Sequence, residues 1–98
     1  MEEIRKRSGM KYEVEYTAAA IKQLSKMDVA TRKLIRAWIE KNLVGCTDPR
    51  AHGKGLTADK SGKWRYRIGN YRILAQIYDD RLVIHVFKVG HRRDVYKR

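Results

Sequence analysis

The sequence predicts an α+β domain: an N-terminal strand and a helical hairpin packed on one face of a roughly four-stranded antiparallel sheet. Three observations predict it. Apolar and charged residues alternate over 11–16 and 63–68, ahead of a β-branched and aromatic run over 81–89, apolar residues recur at helical spacing between 20 and 43, and 98 residues leave room for one core.

Tyr12, Val14 and Tyr16 alternate with Lys11, Glu13 and Glu15, the period of a half-exposed first strand. Thr17 is placed to cap a helix of about three turns whose apolar side is Ala20, Ile21, Leu24 and Met27. Asp28 caps a second helix over Val29 to Val44, with Leu34, Ile35, Trp38, Ile39 and Leu43 as its apolar stripe and Gly45 closing it. With almost no linker between them, the two helices form an antiparallel hairpin. Asp48 to Gly62, carrying Pro49, Gly53, Gly55 and Gly62, reads as a long flexible connection. Its Gly53-Lys54-Gly55 lacks the wider glycine spacing and following Ser or Thr of a phosphate-binding loop. Gly69-Asn70 is a two-residue hairpin signal that pairs Ile68 with Tyr71, Arg67 with Arg72 and Arg65 with Leu74. Asp79-Asp80 turns the chain into a last strand, Arg81 to Val89, ended by Gly90.

This register sorts the sheet into two faces. Trp64, Tyr66, Ile68, Tyr71, Ile73, Ala75, Ile77, Leu82, Ile84 and Val86 face the helices as core. Arg65, Arg67, Arg72, Leu74, Gln76, Tyr78, Arg81, Val83, His85 and Phe87 form the other face, a binding face.

Twenty-three Lys and Arg against eleven Asp and Glu give a net charge of +12, which calls for a polyanionic or acidic partner. Nucleic acid leads, ahead of a membrane surface or an acidic protein. Like charges opposite one another destabilise a sheet, so Arg67 across from Arg72, with Arg65 nearby, suits a phosphodiester that guanidiniums bind bidentately. The alternative is that they spread into solvent or pair with Asp79, Asp80 or Glu side chains. His91, Arg92, Arg93 and Tyr96 follow the last strand: imidazole for proton exchange, guanidinium for phosphate charge, phenol ring for base stacking. Equally, His91 is an ordinary loop histidine and Tyr96 packs the tail on the sheet. Neither a metal site nor a cofactor motif is apparent, because His52, His85, His91 and Cys46 lack neighbours at ligand spacing. Such a site fits metal-independent RNA cleavage in which the substrate's own 2′-hydroxyl attacks.

One cysteine, Cys46, allows no internal disulfide, and MEEIRKRSG is charged from its second residue, unlike a signal peptide or membrane anchor. A cytoplasmic protein without membrane contact is expected, with residues 1–9 a flexible extension and 10–98 a single domain.

The run KWRYRIGNYRILAQIYDDRLVIHVFKVGHRRDVY, above all its GNYRI and VGHRRDVY, together with the element order from Met10 onward, resembles the RelE/ParE superfamily of type II toxins, on the RelE side. The resemblance implies a RelE-like fold and a ribosome-dependent mRNA endonuclease, an mRNA interferase that inhibits translation and is held inactive by a cognate acidic antitoxin. It implies a catalytic set of Arg65, Arg67, Arg72, Arg92 and Tyr96. Well-described members carry lysines at the places of Arg65 and Arg67, and arginine is a poor base. His91 is the expected substitute and His85 a weaker one. Lys63, Arg81, His85, Arg93, Lys97 and Arg98 are expected to bind RNA. The free toxin is expected to be a monomer that forms a hetero-oligomer with its antitoxin. Two rivals are a ParE-like protein-binding inhibitor of DNA gyrase and a non-catalytic RNA-binding module.

Overall fold

The computed structural model describes residues 10–56 and 62–96. The extension over 1–9 and the RNA-binding candidates Lys97 and Arg98 lie outside them. The elements are β1 (Glu13–Tyr16), α1 (Ala18–Ser25), α2 (Val29–Asn42), β2 (Lys54–Gly55), β3 (Lys63–Ile68), β4 (Tyr71–Tyr78) and β5 (Val83–His91).

Both helix starts form as their capping residues require. The Thr17 hydroxyl accepts the Ala20 N–H at 3.0 Å, and the Asp28 carboxylate accepts the Thr31 N–H at 3.1 Å and the Thr31 hydroxyl at 2.7 Å. These bonds, the hydroxyl's first, hold Asp28 below its ordinary pKa of 3.8. At the far end of α2, Gly45 takes φ +75° and donates its N–H to the Tyr12 carbonyl. The hairpin is thereby tied to the start of β1.

The sheet has five strands in the order β1-β5-β4-β3-β2 and is mixed, where about four antiparallel strands were expected. β1 pairs with β5 in parallel, Glu13 opposite Val83 through Tyr16 opposite Val86, because the helical hairpin crosses the sheet before the chain returns. The Asp48–Gly62 connection is not wholly a loop either: Lys54 and Gly55 pair with Arg65 and Trp64 as a short edge strand. Between β4 and β5 the turn occupies 79–82, with Leu82 at φ +56°, so β5 starts later than predicted and runs through Gly90 to His91.

The predicted β3–β4 register is the observed one, from Ile68 opposite Tyr71 to Lys63 opposite Gln76. Ala20, Leu24, Ile35, Ile39 and Leu43 of the hairpin region bury against Tyr66, Ile68, Ile73, Ala75, Ile77, Ile84, Val86 and Val89. Ile21 and Leu34, assigned to the apolar sides of their helices, instead face outward at 56% and 57% exposure. Fully buried Tyr66 donates its hydroxyl to the Pro49 carbonyl at 2.7 Å, and burial raises its phenol well above the ordinary range. Arg50 forms a two-pronged ion pair with Asp79 at 3.0 and 3.1 Å, and Tyr12 adds its hydroxyl to the same carboxylate at 2.6 Å. The β4–β5 turn is thus fastened to the opposite side of the chain.

One irregularity decides the far end of β5. Leu74 faces Lys88 but Ala75 faces Val86, so Phe87 is an extra, bulged residue. Beyond it the side chains exchange faces: Val89 enters the core and its N–H is taken up by the Gln23 side chain at 2.8 Å.

Replacing Gln23 with Ala strands that N–H, and a loss of about 1–3 kcal/mol in chemical denaturation is expected. The Asp28 cap acts with a definite sign. Because the folded pKa is lowered, its stabilisation is complete above the ordinary value of 3.8 and disappears as pH falls through the lowered value. Asp28→Asn should therefore melt with a weaker acid dependence than wild type in a series of thermal scans below pH 4.

Candidate nucleic-acid interface

The face of the sheet away from the helices carries the arginines, because β3 and β4 alternate strictly across their turn. Gly69 takes φ +58° at the first turn position, as a II′-type turn needs. Arg67 then lies opposite Arg72, and Arg65 opposite Leu74 on one side and Lys54 on the other. Arg72 donates to the carbonyls of Gly69 at 3.1 Å and Tyr71 at 3.0 Å, and Arg65 donates to the Tyr96 hydroxyl at 3.1 Å. These acceptors are neutral oxygens, so they orient the guanidiniums without cancelling their charge. Partial burial, then the charge of Arg67, with Arg65 and Arg92 after it, pulls the Arg72 pKa below its ordinary value, while Tyr96 opposes the shift. Guanidiniums set opposite one another at Arg67 and Arg72 suit an anion that both can hold.

The tail reaches this face through a short turn. Arg92 donates its N–H to the Asn70 carbonyl at 2.7 Å, and Asp94 and Val95 donate theirs to the His91 carbonyl. Val95 is buried against Gly90, the residue opposite Arg72. Leu74, assigned to the open binding face, is likewise buried, at 5% exposure, outside the main core. Tyr96 is left half exposed beside Arg65.

His91 is not brought to the arginines, contrary to expectation. The Phe87 bulge shifts its parity, so it pairs with Tyr71 on the helix-facing side and packs edge-on against that ring, centroids 5.5 Å apart. Its Nδ1 accepts the Arg93 N–H at 3.2 Å, which shapes the turn leading to Tyr96. His85 shares the arginine face but pairs with Gln76, four residues along β4 from Arg72, a separation of about 13 Å at the usual strand rise. There it neighbours Tyr78, at 6.4 Å between ring centroids, and Arg81 lies over the other ring at 4.1 Å. Lys63 is exposed opposite Gln76, and Arg93 is exposed on the tail turn. Among the described residues, the RNA-binding candidates are therefore spread along the face and its end, not gathered with Arg65, Arg67 and Arg72.

Lys54 is the residue that sequence reasoning missed. A shallow depression of about 130 Å³ is lined by Gly53, Lys54, Arg65 and Arg67. Gly53 has φ +77°, and a Cβ there would stand 2.1 Å from the Arg65 carbonyl oxygen. The Trp64 indole holds the segment by donating to the His52 carbonyl at 2.6 Å. Glycines on both sides of a lone lysine were the available signal, but they read equally as flexibility. Among the described residues, no group of three or more His, Cys, Asp or Glu side chains gathers, and no helix is long and apolar enough to cross a membrane.

The family model described as ParE toxin of type II toxin-antitoxin system, parDE, matches residues 14–96, which makes this a toxin of the type II class. Toxin RelG of Mycobacterium tuberculosis is 30% identical over 91% of this chain and all of its own length. A putative RelE-like toxin protein of Escherichia coli is 32% identical over 89% of this chain and 92% of its own. The structure of the RelBE2 toxin–antitoxin complex from Mycobacterium tuberculosis superposes with a TM-score of 0.74 at 27% identity, covering 87% of this chain and 95% of that one. The chain belongs to the RelE/ParE superfamily and has the RelE-like fold.

Gly53→Ala places a methyl group against backbone and in a left-handed conformation, so a destabilisation of about 1–3 kcal/mol in urea unfolding is expected. Binding of a polyanion such as heparin should weaken with it as Lys54 leaves the depression.

Proposed function

We propose that this toxin is a ribosome-dependent mRNA endonuclease that needs no metal ion. The 2′-hydroxyl attacks the adjacent phosphate, leaving a 2′,3′-cyclic phosphate or 3′-phosphate. The observation that carries this reading is that Arg65, Arg67 and Arg72 share one face of the β3–β4 hairpin, with Arg67 opposite Arg72 and Arg65 hydrogen-bonded to Tyr96 of the adjoining tail turn. Guanidiniums aligned on a phosphate stabilise the charge that builds on its oxygens in the transition state. The exposed Tyr96 ring offers a surface on which a single-stranded base stacks. His91 acts on the tail turn rather than on the phosphate.

A cognate acidic antitoxin is the regulatory partner, as complexes of related toxins with RelB antitoxins suggest. An acidic segment answers both the +12 charge and the groove of about 350 Å³ where Tyr16, Ile21 and Leu24 meet Arg32 and Arg36. The ParE description of the matching family favours a second reading, binding and inhibition of DNA gyrase. That activity has no evident need for stacked arginines beside a tyrosine, and cytoplasmic mRNA does.

Arg72→Ala should lower mRNA cleavage by about 10²–10³-fold, the usual cost of one transition-state donor, with the fold retained by circular dichroism. Mapping RNA ends after induction provides the check. Wild-type cuts within translated codons that vanish in the variant support the proposal; DNA damage without cuts favours gyrase, and undiminished toxicity of the variant refutes a role for the arginine face.

A further inference from the structure

An RNA strand held at Arg67 and Arg72 continues beyond them, and β4 offers it a course along the same face of the sheet. Tyr78 ends β4 six residues from Arg72, about 20 Å away at the usual strand rise. The Arg81 guanidinium lies over the Tyr78 ring, 4.1 Å from its centre, and the His85 ring stands beside it at 6.4 Å. Resting on the endonuclease reading above, we propose that Tyr78, Arg81 and His85 form a second nucleotide subsite, which stacks an unpaired base of the same RNA strand.

Three observations carry the assignment. Tyr78 and His85 are half-buried and Arg81 is exposed, so ring and guanidinium surface stays open at the end of the arginine face. Flat groups of these two kinds are what unpaired RNA bases stack on. Arg81 is not needed to hold its own turn, because Asp79 already fastens that turn to Arg50 and Tyr12. Those bonds occupy the Asp79 carboxylate, and among the described residues no carboxylate pairs with Arg81, so its charge is kept. On the far side of the cluster, Glu13 lies beside Val83 and Glu15 beside His85, carboxylates that repel phosphate. They direct the backbone of the strand toward β3, where exposed Lys63 stands opposite Gln76, and leave the rings to the base.

The separation of the two subsites sets a length requirement. At about 3.4 Å per stacked nucleotide, a trinucleotide falls short of about 20 Å and a decanucleotide exceeds it. The shorter strand engages the arginines alone, whereas the longer one reaches Tyr78 as well. Because the Tyr78 side chain carries no charge, its removal separates base stacking from the general attraction of a basic face for polyanions.

Binding of the full-length toxin would be measured by fluorescence anisotropy with 2′-O-methyl oligoadenylates of both lengths, which offer bases and phosphates but no 2′-hydroxyl to attack. The wild type should bind the longer strand more tightly. Tyr78→Ala should weaken the longer strand by about 5–150-fold, the loss of one stacked base, and leave the shorter strand unchanged. Arg81→Lys, which keeps the charge and loses the plane, should weaken the longer strand in the same selective way, and Arg72→Ala should weaken both. Arg81 is exposed, so its variant keeps the test valid should Tyr78→Ala fail to fold. Wild-type affinity of either variant for the longer strand, or an equal loss on both lengths, overturns the proposal. Cleavage of translated mRNA by the wild type, measured alongside, tells two failures apart. Cutting without the selective loss overturns the subsite alone, and the selective loss without cutting supports the subsite and overturns the endonuclease reading.

Discussion

The two-residue turn at Gly69-Asn70 is the constraint on which the rest of this structure depends. It fixes the β3–β4 register, and in a strand the register decides every side chain's face at once. Tyr66, Ile68 and Ile73 reach the core only in the register that also sets Arg67 against Arg72. Two like charges opposed in a sheet cost stability. Burial on the helix-facing side outweighs it. A slip of one residue would relieve the arginines by expelling the core, so the repulsion is locked in by hydrophobic packing rather than by any contact of its own.

The bulge at Phe87 makes a second decision of the same kind. It returns Val89 to the core and sets Gly90, without a side chain, opposite Arg72. Over that bare backbone the tail lays Val95, and the apolar anchor brings Tyr96 to Arg65. The position of the tyrosine is thus a consequence of strand geometry several residues upstream. His91, by the same inversion, becomes part of the tail's support.

What was legible in the sequence was local: both caps, the helical hairpin, the Gly-Asn turn and the arginines that its register aligns. Each is set by residues a few positions apart. The parallel partner of β1 was hidden because nothing near Tyr12 to Tyr16 encodes a pairing with residues 83–86. The bulge carries no glycine or other local mark at Phe87, and the last strand was expected to end at Gly90, so the pairing of His91 with Tyr71 was hidden. Leu74 seemed exposed because strand alternation alone placed it on the open face, whereas its burial comes from tertiary packing. Lys54 was obscured by its own glycines. They give close approach to β3 at Gly53, whereas in sequence they look like slack.

Electrostatics tie these parts to regulation. Where a charge serves the fold, this chain satisfies it: Asp79 takes both prongs of Arg50 together with the Tyr12 hydroxyl. On the arginine face the acceptors of Arg65 and Arg72 are a phenol and two backbone carbonyls, which aim a guanidinium but do not neutralise it. Part of the net charge of +12 therefore stands on a face where these bonds aim it without cancelling it. An anion bound there relieves repulsion that the core already sustains, so part of its affinity is prepared during folding. Under the proposed function the same property applies to an RNA phosphate and to the carboxylates of an acidic antitoxin.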